Sequence, residues 1–398
     1  MSTDIDSASH RALSSLRVQL NPLLLEQEDG RCGNVDIPAR TIVLSLAWYF
    51  LKESVTSLNA LDQQLREPQV QQTLGLSPHQ SSANAPIVSD STIRHSLEGW
   101  CPQSIRRVAD WMYGTLRENG LLGRTLPSGR RLSIGVLDSS SFGDCYSHHI
   151  TALTDSDTYP LDLQAHDEFK RGKEPGAARE MIPRWRDQFE LFLLDGLYLK
   201  QWVFDALEEP QTADALVKYP IKEDRDKAFP WPLQQARFAI KKGLRESHTI
   251  HDDRYDEPAT GYRVSLSDCG HDLLIDRFSI DGEDKQDFFT VTTRTDLSPR
   301  DTWELSHSRW AIENNGFRAL SLQNDSKDQN PKGGRTLPSA VKYTLLFWLL
   351  LFQGLFRMMA VLFVSEEELK NVKVTESWLY SRVRKYLGAL LNGPRGDP

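Results

Sequence analysis

Cysteine is scarce in this chain: Cys32, Cys101, Cys145 and Cys269 are the four among 398 residues, and no two form a CxxC pair. That spacing argues against a structural zinc site or a disulfide framework, and it fits a reducing, cytoplasmic setting. Charge of one sign is also missing in bulk. Against 47 basic residues stand 55 acidic ones, a net charge of −8, so no global basic field advertises a nucleic-acid partner. Local basic clusters, and acidic groups gathered at a metal site, would both be hidden in that total. There is no G-x-x-x-x-G-K loop to cradle nucleotide phosphates, no repeat, and no apolar core in "MSTDIDSASHRALSSLRVQL" to mark a secretory signal.

Long hydrophobic runs are nearly absent too. The exception is "VKYTLLFWLLLFQGLFRMMAVLFV", residues 341–364, which is long enough to span a bilayer. Lys342, Gln353 and Arg357 interrupt it, so we expect a helix buried against a sheet and no membrane association. What remains is an ordinary globular composition, 39% hydrophobic and 26% charged, with length for two or three domains.

Residues 1–125 read as a helical region. "TIVLSLAWYFLKESVTSLNALDQQL" has helical apolar spacing, and "STIRHSLEGW" and "SIRRVADWMYGTLREN" give two shorter helices, with Ser89 or Asp90 as an N-cap. Arg94, Arg106 and Arg107 on these helices are candidates to meet DNA phosphates, or else solvated arginines of a bundle. After the linker "RTLPSGRR" the pattern turns to strands. Residues 126–199 read as a three-stranded meander, "RLSIGVLDSSSF", "HHITALTD" and "PLDLQAHDEF", then a helix, then the apolar strand "FELFLLDGLY". Residues 200–285 are charged and irregular, with strand alternation in "YRVSLSD" and "DLLIDRFSI", and read as a β-rich insertion. Residues 286–364 return to a strand, "DFFTVTTRTDLSP", the helix "WELSHSRWAIENNGFRAL" and the apolar helix; residues 365–398 form a helical tail.

Two aspartates, Asp138 and Asp195, each end an apolar strand in this reading, and Glu313 projects from the helix after the insertion. Ends of strands at a sheet rim are where α/β folds bind ligands. Carboxylates converging there repel one another and need a compensating cation. An all-oxygen donor set favours Mg²⁺ or Mn²⁺ over zinc. Two such ions ~4 Å apart can serve both sides of a phosphodiester. Arg309, one turn before Glu313, can orient that carboxylate or meet a phosphate.

"VLDSSSF", "LFLLDGLY" and "ELSHSRWAIENNGFRALSL" resemble the three acidic motifs of the DDE transposases, specifically the insertion-sequence-4-like branch, over about residues 130–360. The resemblance implies a ribonuclease H-like catalytic domain, a mixed sheet with flanking helices interrupted by a β-rich insertion. It also implies a metal set of Asp138, Asp195 and Glu313, transposon-end cleavage, and joining of the 3′-OH to target DNA. Double-stranded DNA as partner, a homodimer in the DNA complex and a nucleoid-associated location come with it. The branch signature around the glutamate is Tyr, two residues, Arg, three residues, Glu, six residues, Lys. Arg309 and Glu313 match; Ser306 and Leu320 stand where the signature has Tyr and Lys, positions tied to DNA contacts and not to metal.

Other constellations compete. "DCYSHHI" gathers Asp144, Cys145, His148 and His149, but neighbouring histidines on a strand point to opposite faces and could not readily share an ion. Within the insertion, Lys241, Lys242 and Arg245 could track a DNA backbone, and Trp231 between Pro230 and Pro232 could stack on a base or anchor a loop. Asp167, Glu168, Lys170, Arg171 and Lys173 read as a solvated loop. Two other functions share the carboxylates: a non-catalytic, domesticated or decayed DNA-binding descendant of a transposase, and a metal-independent glycoside hydrolase using two of them as acid and base.

Overall fold

The computed structural model describes residues 23, 31, 37–51, 58–66, 88–142, 145–155, 157–166, 174–208, 213–221, 230–280, 286–312 and 338–363. Glu313, Asp144, the charged loop 167–173 and the tail 365–398 lie outside the described residues.

The N-terminal region is helical as expected: α1 (Ala39–Leu51), α2 (Leu58–Leu65), α3 (Asp90–Glu98) and α4 (Pro102–Glu118). Ser89 caps α3, its hydroxyl accepting the Thr92 N–H at 3.1 Å. In α4, Pro102 occupies the first turn, where its missing N–H costs nothing, and Ile105, Val108, Ala109, Met112 and Leu116 line one buried face. The linker that follows folds into a small antiparallel pair, β1 (Arg124–Thr125) with β2 (Arg131–Leu132).

The apolar run near the end of the chain is one helix, here α9 (Ser339–Phe363), packed on β5 and on α1, α3 and α4. Its buried arginine has partners inside the protein. Arg357, 3% exposed, pairs with Asp157 at 2.9 Å and donates to the Thr158 carbonyl at 3.0 Å. Trp348 meets Trp100 edge to face at 5.4 Å. No described helix is long and apolar enough to cross a membrane.

At the centre stands a mixed sheet of nine described strands in the order β5-β4-β3-β6-β7-β11-β10-β9-β8. The meander β3 (Ile134–Phe142), β4 (Cys145–Leu153) and β5 (Thr158–His166) is antiparallel, and β6 (Leu191–Asp195) and β7 (Asp214–Pro220) run parallel to β3. The crossovers carry α5 (Glu174–Trp185) and α6 (Gln201–Glu208). "LFLL" in β6 is buried throughout, as a central parallel strand covered on both faces must be. Beyond β7 come α7 (Leu233–Lys241), β8 (Glu246–Ile250), β9 (Ala259–Asp268), β10 (His271–Ile280), β11 (Gln286–Thr292) and α8 (Pro299–Ile312). β11 joins β7 antiparallel, so the inserted strands extend the sheet instead of forming a separate layer. A large mixed sheet flanked by helices, with β3 an inner strand and β6 and β7 parallel to it, is consistent with a ribonuclease H-like fold.

Two details differ from the sequence reading. Asp138 does not end its strand; it is the fifth of nine residues in β3. The serines after it keep pairing with β4, because an antiparallel hairpin needs only backbone partners once its neighbour β6 has stopped. Second, α6 and β7 occupy part of the stretch read as irregular insertion, and β7 is an inner strand of the sheet.

Candidate functional site

Strand register brings the site together. β3 and β6 pair in parallel through Leu137 and Leu194, which makes Asp138 and Asp195 the next step of the same ladder. Residues level with one another on adjacent strands project to the same face, with backbones ~4.8 Å apart. The two carboxylates are therefore lateral neighbours. Following the register outward gives one continuous row: His149 on β4, Asp138, Asp195, Lys218 on β7, Thr290 on β11, Asp276 on β10 and Arg263 on β9. A row of polar residues across a buried sheet is costly unless each group is matched.

α8 covers this row. Lys218 holds its ammonium 4.2 Å from the centre of the Phe288 ring, and Phe288 in turn packs on Trp303 and His307 of α8. The helix starts at the end of the sheet where β3 and β6 begin: Asp301 accepts the Ser128 N–H at 3.0 Å and Glu304 pairs with Arg124 at 3.0 Å. Rising ~1.5 Å per residue, it reaches the level of Lys218 and Phe288 by His307. Its last described turn is thus directed toward the end of β6 that carries Asp195. Arg309 lies on that turn by its backbone; its side chain, like all of Glu313, falls outside the described residues.

The electrostatics differ along the row. Asp138 is 7% exposed and accepts the Ser139 N–H at 2.9 Å. Asp195 accepts the Gly196 N–H, and among the described residues it forms no ion pair. Beside Asp138, burial and the neighbouring His148 hold the His149 imidazole well below its ordinary range, so it stays neutral. His307 is pushed down to about 4, first by burial and then by the Lys218 charge; its Nδ1 donates to the Trp303 carbonyl at 2.8 Å. Further along, Arg263 grips Asp276 through two bonds of 2.7 Å each, and the Thr302 hydroxyl of α8 donates to the same carboxylate at 2.6 Å.

The other sequence candidates are scattered. Arg94 pairs with Asp90 at 3.4 Å on α3, and Arg106 is drawn to the buried Asp162 at 3.0 Å; Arg107 is exposed on α4. Trp231 donates to Asp268 at 2.7 Å and packs edge-on against Phe204 and His271, which places it as an anchor of its loop. Lys241 and Lys242 are exposed at the end of α7, and Arg245 lies 3.8 Å over the Tyr262 ring. His148 and His149 do face opposite ways on β4, with Tyr198 near His148. No group of three or more His, Cys, Asp or Glu among the described residues is arranged to hold a metal. Lys218 and His307 were not singled out from sequence. The one available signal was a lysine set inside the apolar "DALVKYP".

No protein-family model matches the chain, and no curated protein matches it. Among solved structures it is similar to the piggyBac transposase in its synaptic complex with hairpin DNA, with a TM-score of 0.32 and 8% identity over 90% of this chain and 77% of that one.

Proposed function

We propose that the chain is a DDE-type DNA transposase of the insertion-sequence-4-like branch, in which Asp138, Asp195 and Glu313 hold divalent metal. One observation carries the reading: two aspartates from strands far apart in sequence stand level on adjacent parallel strands, on the face covered by α8. Side by side, two carboxylates raise each other's energy unless a cation joins them. Their hard oxygen donors fit Mg²⁺ or Mn²⁺. Glu313, the residue after the last described turn of α8, supplies the third carboxylate by its motif "RWAIENNGF". The metal, when bound, supplies an activated water and charge stabilisation at the scissile phosphate.

The chain's own residues then position and neutralise. Asp138, on a strand locked between β4 and β6, presents its carboxylate from a rigid element, and Asp195 is oriented by the Gly196 N–H. Arg309, on the turn directed at that end of the sheet, orients Glu313 or meets a phosphate oxygen. Double-stranded DNA is the substrate in this reading, and the freed 3′-OH is joined to a target strand. A homodimer on DNA is carried by the motif resemblance alone.

The test is Mn²⁺-dependent cleavage of labelled duplex carrying the DNA that borders this reading frame. Asp138→Ala, Asp195→Ala and Glu313→Ala are each expected to abolish cleavage while leaving duplex binding largely intact. Full cleavage in EDTA would move the assignment to metal-independent carboxylate chemistry. Binding of the bordering DNA without cleavage by the unaltered chain would assign it to the non-catalytic class.

A further inference from the structure

We propose that Lys218 binds a nonbridging oxygen of the phosphodiester held at Asp138 and Asp195. The inference rests on the transposase reading and assigns the group that receives the substrate's own charge.

Lys218 is level with Asp195 across the parallel β6–β7 pair, so it projects to the same face of the sheet. The row there reads carboxylate, carboxylate, ammonium, at steps of one strand spacing. Divalent ions on the two aspartates would repel an ammonium one strand away, unless an anionic ligand bridges the two. A phosphodiester is such a ligand, and a lysine is suited to it as a compact point charge. The side chain leans over Phe288, on the β11 side, which places its ammonium 4.2 Å above that ring. Trp303 and His307 hold the ring from α8, at 5.7 and 5.8 Å between centroids. The aromatic support thus holds the ammonium itself, on a residue whose backbone is level with Asp195. His307, neutral beside it, adds no second positive charge. Sequence reading assigned phosphate contact to arginines of the N-terminal helices, to the end of α7 and to Arg309; Lys218 differs from these in being built into the sheet beside the carboxylates.

The experiment compares Lys218→Gln and Lys218→Arg with the unaltered chain. Mn²⁺ titration without DNA is expected to be unchanged within about threefold, or tighter, for Lys218→Gln, because a positive neighbour has been removed. Plasmid cleavage in saturating Mn²⁺ should fall about 10²-fold or more, with Lys218→Arg recovering at least part of the loss. A second measurement needs no turnover: duplex affinity in Ca²⁺ at several salt concentrations, where Lys218→Gln should lower the slope of log affinity against log salt by about one. Wild-type cleavage together with a wild-type salt slope would overturn the proposal. So would a lowered melting temperature with an unchanged slope, which is the signature of a packing role. Failure of the underlying reading looks different: Mn²⁺ binding would then be indifferent to Asp138→Asn and Asp195→Asn.

Discussion

Asp276 and Asp195 belong to the same polar row of one sheet, and the protein treats them in opposite ways. Asp276 is fully buried, and its carboxylate is gripped bidentately by Arg263 and bonded by Thr302. A further bond from Arg263 to the Leu297 carbonyl ties the turn before α8 into the same knot. Asp195, half-exposed, receives a backbone N–H and stands next to another carboxylate, Asp138. The inserted half of the row is thus balanced internally and fixes α8. The other half sets two carboxylates side by side near the end of parallel strands, with Lys218 level with the second. Burying a carboxylate is tolerable when the protein supplies the cation, as Arg263 does for Asp276.

The comparison can be broken from either side. The largest expected effect is on chemistry: Asp138→Asn or Asp195→Asn should reduce DNA cleavage to background in Mn²⁺. The same variants should unfold, without metal, at a temperature equal to or above that of the unaltered chain, since a repulsion has been removed. A clear loss of melting temperature in metal-free buffer would show that these aspartates are balanced like Asp276. The next effect is on stability. Asp276→Ala leaves Arg263 buried without its partner and should cost about 3–5 kcal/mol by denaturant titration. A change below ~1 kcal/mol would place that pair among ordinary surface ion pairs.

A smaller effect follows from His307. Its pKa is lowered in the fold to about 4, against a usual value of 6.5. Between those values the unfolded chain binds the extra proton, so stability is held above pH 6.5 and lost as pH falls toward 4. For this one group the slope is at most about 1.4 kcal/mol per pH unit. His307→Phe should flatten that part of a stability–pH curve, and an unchanged curve would remove His307 as its source. Smallest is the cap on α3: Ser89→Ala should cost about 1 kcal/mol by the same titration, with no change in metal binding.

The meander, the β6 strand and the buried nature of α9 were legible because each has an unmistakable period: apolar runs bounded by turns, or an apolar helix whose charges need partners. Asp138 and Asp195 were legible as acidic residues attached to apolar strands. Their register was not, because pairing depends on which strands become neighbours. β7 escaped notice for a related reason. "DALVKYP" is short, lies among charged residues and contains a lysine, so its apolar half looked like a fragment. Only its place between β6 and β11 turns Lys218 into a neighbour of Asp195. The Arg263–Asp276 pair was hidden likewise. In sequence the two residues are 13 apart, and only the β9–β10 register sets them opposite each other.

The most direct test of the account is calorimetric titration of Mn²⁺ into the full chain without DNA, repeated for Asp138→Asn and Asp195→Asn. The account predicts saturable binding by the unaltered chain, weakened at least about tenfold by either substitution. Binding of equal affinity in all three proteins, or none in the unaltered chain, would contradict it.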